Sequence, residues 1–184
     1  MVADVTVRPS RDEDMSAVTD IYATSVREET ASFELAPPDE AEMRRRRDAL
    51  LSAGYPHLVA EIDGRIAGYA YASAYRPRPA YSNTVENSVY VARWAQRKGV
   101  ARRLMEELIR ACSATGRRQM IAIIGGSRHK ASIELHRSLG FEMVGVLKNV
   151  GWKHEQWLDT VLMQLPLGPG ASRPPGADGE ENEA

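Results

Sequence analysis

In the stretch TVENSVYV, Thr84 to Val91, Glu86 alternates with Ser88 and Tyr90 on one face, while Val85, Val89 and Val91 take the other. A carboxylate among apolar neighbours in a central strand is costly to ionise, so its pKa should rise toward neutrality. A general base acting on an amine needs that property. A buried glutamate held by Arg76 or Arg78 fits the same spacing. If the strand splayed from its neighbour here, its backbone N–H groups would suit a linear ligand carrying amides. Just downstream, QRKGVA (Gln96 to Ala101) leads into helical periodicity from Val100. The first turn of a helix leaves N–H groups without partners, and the helix dipole adds roughly half a positive charge there. Gly99 lets the backbone approach closely, and Arg97, Lys98, Arg102 and Arg103 add positive charge. Such a pocket suits a pyrophosphate. The loop lacks the second glycine and the Lys-Ser/Thr pair of a nucleotide-hydrolase loop, and the three glycines of a dinucleotide fingerprint. A charged, unoccupied turn between strand and helix is the plainer alternative.

The elements that must position these groups follow from period and punctuation. Val5 and Val7 predict a short strand stopped at Pro9. Ser10 with Glu13 reads as a capping box, and Met15, Val18, Ile21, Tyr22 and Val26 repeat at helical spacing. Pro37-Pro38 opens a second helix through Leu51. Its run Arg44 to Arg47 reads as an exposed face neutralised by Asp39, Glu40, Glu42 and Asp48, with no interleaved aromatics to stack on bases. HLVAEIDGRIAGYAYAS is a hairpin about Asp63-Gly64. The proline-broken loop YRPRPAYSN precedes the Glu86 strand. A helix from Val100 to Gly116, the buried strand QMIAIIG, a shorter helix closed by Gly140 and two final strands complete the order. That succession predicts an α+β domain around one mixed sheet rather than a doubly wound fold. The domain is expected to span residues 1–165. From Pro166 the composition turns to proline, glycine and acid, so residues 166–184 are expected to be a disordered tail.

Bulk properties narrow the class. At 184 residues with 43% hydrophobic and 27% charged residues, the composition is that of one ordinary soluble domain. A net charge of -1 gives no overall pull toward nucleic acid or an anionic membrane. The single cysteine, Cys112, falls on the apolar helix face and is read as core, which excludes an internal disulfide. His57, His129, His136 and His154 form no metal-spaced set, so no metal is expected. No apolar run approaches the ~18 residues of a membrane helix, and the first residues do not read as a signal peptide, so a cytoplasmic protein is expected.

A pyrophosphate cradle, a strand with free amides and a neighbouring base together fit an acyl-CoA, which carries a pyrophosphate, two amides and a thioester. VYVARWAQRKGVA resembles the acetyl-CoA-binding motif of the GNAT superfamily of N-acetyltransferases. The wider set VRPSRDEDMSAVTDIY, YPHLVAEIDGRIAGYAYAS, AYSNTVENSVYV, SIELHRSLGF and VGWKHEQWLD resembles its phosphinothricin and methionine sulfone/sulfoximine acetyltransferase group. The resemblance implies a three-layer fold, a mostly antiparallel sheet flanked by helices. It also implies acetyl-CoA as co-substrate without a metal, and a homodimer with active sites near the interface. Val89, Tyr90 and Val91 would bind the pantetheine arm and acetyl group, and Arg97, Lys98, Gly99, Val100, Ala101 and Arg102 the pyrophosphate. Glu86 would be the base, and His136 the candidate second acid/base.

Where the family has a cofactor-binding asparagine, the segment GGSRHKAS runs one residue longer and brings His129 or Arg128, with Ser132 following. For the acceptor, Arg76 and Arg78 suit a carboxylate. Phe33 and Tyr81 would line the same pocket, with Lys153 and Trp157 contributed by GWKHEQW. The reaction implied is direct transfer of acetyl to the α-amine of an amino acid analogue in a ternary complex. Other amines or a protein N-terminus as acceptor, and a non-catalytic acyl-CoA-binding module, are the alternatives.

Overall fold

The structure, a computed structural model, describes residues 4–127 and 129–176. Its elements run β1 (Thr6–Pro9), α1 (Met15–Glu28), α2 (Glu40–Ser52), β2 (His57–Ile62), β3 (Arg65–Ala74), β4 (Thr84–Val91), α3 (Val100–Ala114), β5 (Gln119–Gly125), α4 (Lys130–Ser138), β6 (Glu142–Lys153) and β7 (Gln156–Pro166). This is the order expected from the sequence. The seven strands form one sheet, β1-β2-β3-β4-β5-β7-β6, in which only β4 and β5 are parallel. A parallel neighbour needs a crossover connection, and α3 supplies it. The β2–β3 hairpin turns through Asp63 (φ 52°) and Gly64 (φ 75°), both left-handed as its sequence requires.

The alternation of β4 assigns the layers. Tyr90 stands edge-on to Tyr22 of α1 with ring centroids 5.0 Å apart, so the Glu86–Ser88–Tyr90 face meets α1 and α2. Asn87, on the opposite face, meets His136 of α4, and α3 covers that face through Val100, Leu104, Met105, Leu108 and Cys112, all buried. Burying such a stripe contributes about 1.5–3 kcal/mol per large side chain. The result is the α+β, three-layer arrangement expected, with helices on both faces of a mixed sheet.

Three local expectations fail, each because a distant partner wins. Ser10 does not cap with Glu13. Its hydroxyl accepts from Arg47 Nε at 2.8 Å and lies 2.9 Å from His57 Nδ1, while the Asp14 carboxylate takes the Arg11 N–H at 2.6 Å. Arg47 is accordingly buried, unlike the paired surface arginines Arg44, Arg45 and Arg46. The tail does not begin in disorder. Pro166 belongs to β7, and Leu167 is 1% exposed and donates its N–H to the Arg118 carbonyl at 2.9 Å. Residues 177–184 lie outside the described ones.

Ser10 Oγ, which accepts from Arg47, keeps its own O–H available for a neutral His57 Nδ1 at 2.9 Å. Burial, followed by the Arg47 charge, pushes His57 down to about 4, against a smaller opposing pull from Asp14. A histidine depressed in the folded state loses its partner state as pH falls. Stability should therefore drop between about pH 6.5 and 4, by up to about 3 kcal/mol. His57→Gln should flatten this window in urea unfolding followed from pH 8 to 4. A drop of the same size in both proteins would refute the assignment.

Candidate active site

β4 and β5 pair only from Thr84–Gln119 to Asn87–Ala122. Beyond that point β4 follows β3 through Val91, while β5 follows β7 through Gly125. The two strands therefore fork, and the backbone of Ser88 to Val91 turns one edge to an open cleft. The splayed strand considered from the sequence is present. The cleft has a volume of about 720 Å³ and runs along Val89, Tyr90 and Val91 to the N-terminus of α3, with α4 as its far wall.

The geometry at the head of α3 suits an anion. Arg97 (φ 62°) and Gly99 (φ 84°) are both left-handed, which folds the loop over the helix start. Gly99, the residue before the helix, carries no side chain to cap it, and the first turn contains no acid. Arg102 and Arg103 instead add positive charge at the positive end of the dipole, which an anion would offset. Of the residues expected to contact the cofactor, Val89, Tyr90, Val91, Arg97, Gly99 and Val100 line the cleft, as do Ala101, Arg102, His129 and Ser132. Lys98 does not. Its ammonium sits 5.4 Å from the centre of the Trp94 ring, which Arg65 also covers at 4.3 Å. His129 begins α4 without a side-chain capping bond. Arg128, the other residue considered for the asparagine's place, lies outside the described residues.

Glu86 lies at the vertex of the fork on the α1/α2 face, opposite Ser73 of β3 and Ile121 of β5. Burial raises its pKa, and the Arg76 charge pulls the other way. The Arg76 guanidinium lies 5.2 Å from the Tyr75 ring centre, and Tyr75 meets Tyr81 edge-on at 5.7 Å. Arg78 is exposed at the head of the short turn Pro79–Tyr81. Phe33 comes from the loop between α1 and α2 and lies over Gly125 and Gly151. A Cβ on Gly125 would come within 2.9 Å of its ring, and one on Gly151 would come closer still. That loop is tied down by Tyr22, whose hydroxyl lies 3.0 Å from both Ser32 Oγ and Glu34, and by Lys153, whose ammonium donates to the Ser32 carbonyl at 2.6 Å. Lys153 is thus a buried fastener of the Phe33 loop, with its pKa lowered by that burial. Trp157 is 60% exposed and pairs with Trp152, away from the cleft walls.

His136 is 2% exposed and is not part of the cleft lining. Its Nδ1 lies 2.8 Å from the Ser132 carbonyl and its Nε2 3.0 Å from Asn87 Oδ1, so neither nitrogen is free to face a ligand. His136, expected as the second acid/base, is thus held inside the fold rather than presented to the cleft. Burial lowers its pKa, partly offset by the Ser132 carbonyl. Sequence reasoning missed two residues. Asn87 was passed over as one more strand residue. Asp159 of β7 grips the loop before α4, accepting from Ser127 Oγ at 2.6 Å, Lys148 at 3.0 Å and the Asn149 N–H at 3.1 Å. Among the described residues, no cluster of three His, Cys, Asp or Glu is set to hold a metal ion, and no helix is long and apolar enough to cross a membrane.

Comparison with known proteins agrees with this geometry. The profile of the Acetyltransferase (GNAT) domain matches residues 7–162. The chain is 54% identical over 165 residues to a phosphinothricin N-acetyltransferase of Alcaligenes faecalis, covering 90% of this chain and 84% of that one. It is 39% identical to an L-methionine sulfoximine/L-methionine sulfone acetyltransferase of Pseudomonas paraeruginosa, covering 91% and 98%. A crystal structure of a GNAT superfamily phosphinothricin acetyltransferase from Sinorhizobium meliloti, in complex with AcCoA, superposes with a TM-score of 0.92 at 46% identity, over 97% and 95% of the two chains.

The electrostatics at the vertex make one direct demand. Arg76 is the group that favours the Glu86 carboxylate, so Arg76→Gln should raise the Glu86 pKa further. A carboxyl carbon NMR titration of both proteins reads this. An unchanged or lowered Glu86 pKa would show that Arg76 does not act on it.

Proposed function

The chain belongs to the GNAT acetyltransferase family, and from that premise we propose that it N-acetylates the α-amine of small amino acid analogues of the phosphinothricin, methionine sulfoximine or methionine sulfone type. The observation that carries this reading is the fork. It opens a cleft that ends at an uncapped, cationic helix N-terminus, and at its vertex it places a carboxylate of raised pKa, on the α1/α2 face of the sheet and outside the cleft lining.

Acetyl-CoA, when bound, supplies the acetyl group as an activated thioester. The residues present fit it. The N–H groups of Val100, Ala101 and Arg102, with the Arg97 and Arg102 side chains, would hold the pyrophosphate. The edge of β4 from Val89 to Val91 would pair with the amides of the arm, as one strand pairs with another. Glu86 takes a proton from the substrate ammonium, directly or through one water, and leaves the amine free to attack. Its raised pKa brings it closer to the acidity this transfer needs. A backbone N–H of the splayed strand steadies the negative charge that develops on the carbonyl oxygen. Arg76 and Arg78 receive the acceptor's carboxylate, and Phe33, seated over Gly125 and Gly151, closes the pocket on its apolar side.

We assign the same protein a homodimeric state. β6 is an edge strand that exposes Met143, Val144, Leu147, Val150 and Trp152, each 46–58% accessible, with Trp157 of β7 beside Trp152. An apolar edge of that length needs cover. A second copy of this strand, related by a two-fold axis, would supply it.

Thiol release from acetyl-CoA, measured against a panel of amino acids, sulfone and sulfoximine analogues, phosphinothricin, polyamines and peptides, should show saturable turnover on the analogues. Glu86→Gln should lower kcat/KM about 10²–10⁴-fold and remove the acidic limb of its pH profile, with acetyl-CoA affinity little changed. Acetyl-CoA binding without turnover on any amine would leave only a binding module. For the assembly, sedimentation velocity should give a dimer that Trp152→Glu with Val150→Lys converts to monomer. A monomeric wild-type protein at micromolar concentration would end the dimer assignment.

A further inference from the structure

We propose that Asn87 and His136 form a pin across the vertex of the β4–β5 fork, and that Asn87 is thereby a positioning residue for acetyl-CoA binding. The proposal rests on the acetyl-CoA reading of the cleft. Asn87 is the last residue of β4 paired with β5, opposite Ala122, and is 6% exposed. Its Nδ2 donates to the Ile121 carbonyl of β5 at 3.1 Å. That bond turns Oδ1 toward α4, where His136 Nε2 lies at 3.0 Å. The other ring nitrogen lies 2.8 Å from the Ser132 carbonyl, and the ring is backed edge-on by Phe141 at 4.9 Å. Ser132 lines the cleft, as does Val89 two residues beyond Asn87. One run of polar contacts therefore leads from β5 through Asn87 and His136 to the α4 wall.

The chemistry of the pair argues for geometry rather than proton delivery. Both ring nitrogens face oxygen acceptors, and a neutral imidazole has one N–H, so with Nε2–H donated to Asn87 Oδ1 the ring holds the vertex directly, while its burial and the Phe141 ring behind it keep it against its own helix. Turning the Asn87 amide over would set Oδ1 against the Ile121 carbonyl, oxygen to oxygen, which fixes the orientation. A ring that gave its proton to a departing thiolate would have to leave these partners and reach the cleft past the α4 backbone. Held in place, it instead fixes the distance between α4 and the vertex, and so the width of the slot that the arm must enter. Glu86 sits one residue before the pin, on the other face of the sheet, and keeps its base role independently.

The test is a double-mutant cycle on the full chain. Acetyl-CoA affinity is read by calorimetry, and KM and kcat by thiol release. Asn87→Ala and His136→Ala should each raise the acetyl-CoA Kd and KM about tenfold. The double variant should be no worse than either single one, because both substitutions break the same link. At saturating acetyl-CoA, kcat should stay within about threefold and keep its acidic limb. Asn87→Asp, which retains an oxygen facing the ring, should fall between wild type and Asn87→Ala. A hundredfold loss of kcat in His136→Ala at unchanged Kd, with one limb of the pH profile gone, would make His136 the acid and overturn the pin. Unchanged Kd with only a lowered Tm would reduce the pair to core packing and overturn it equally. Should wild type itself fail to bind acetyl-CoA, the reading of the cleft falls first. That case is recognised because wild type and variants then behave alike.

Discussion

The parallel contact between β4 and β5 is the constraint from which the rest of the site follows. In a sheet otherwise antiparallel, it forces a crossover, and the crossover helix α3 must start where β4 ends. Its N-terminus is thus delivered to the edge of β4 by topology. The contact is also short. β4 is already held by β3 along its whole length and β5 by β7 along its own, so the pair stays together for four residues and then separates. A right-handed twist accumulated on two different partners pulls the strands apart. The cleft is the space this leaves, and its backbone edge is free because no third strand can enter.

Electrostatics then sets two places of opposite character along the fork. At the α3 end, the loop spends two left-handed residues and places arginines against the positive pole of a helix, an arrangement that costs stability until an anion arrives. At the vertex, Glu86 is half-buried, and Arg76 favours its charged form. Both places are locally unfavourable, and both are held by rigid surroundings. Leu104, Met105 and Leu108 anchor α3 without exposure, and Tyr22, Tyr69 and Tyr90 pack behind the Glu86 face. Beside the aromatic stack, on the same face, lies a cavity of about 480 Å³ lined by Tyr22, Tyr69, Tyr71 and Ser73, the last of these opposite Glu86.

What could be read in the sequence was what is local. The hairpin at Asp63-Gly64, the helix from Val100 and the alternation around Glu86 each follow from period and turn chemistry within a dozen residues. The anion loop was legible because a glycine among cations at a strand-to-helix junction has few other uses. Contacts between distant residues were not legible. Ser10 had a plausible local partner in Glu13, yet it serves Arg47 and His57, 37 and 47 residues away. Lys153 looked like a pocket charge and instead fastens Ser32, 121 residues earlier. Leu167 was one apolar residue in a run of proline and glycine, too little to signal order. It packs because β7 delivers it to a buried position beside Arg118. His136 was recognisable as a motif residue, but its direction depends on Asn87, which no pattern singles out.

The segment between β5 and α4 shows how the fold secures a sensitive place. An extra residue there would shift the start of α4, and with it His129 and Ser132 at the cleft. Asp159 works against this shift. Its carbonyl takes the Gly126 N–H at 2.8 Å while its carboxylate takes Ser127, so the segment is clamped to β7 just before α4 begins. Lys148 and Asn149, at an irregular point of β6, bind the same carboxylate, and these bonds hold Asp159 well below the usual carboxylate range, down to about 2. The clamp therefore stays ionised at any pH at which Glu86 could act as a base. His136 then fixes α4 from the other side, through Asn87. Two independent ties, one at the head of the helix and one at its core-facing side, leave α4 little freedom to follow changes in the loop. The far wall of the cleft is thereby tied both to β7 and to the vertex of the fork.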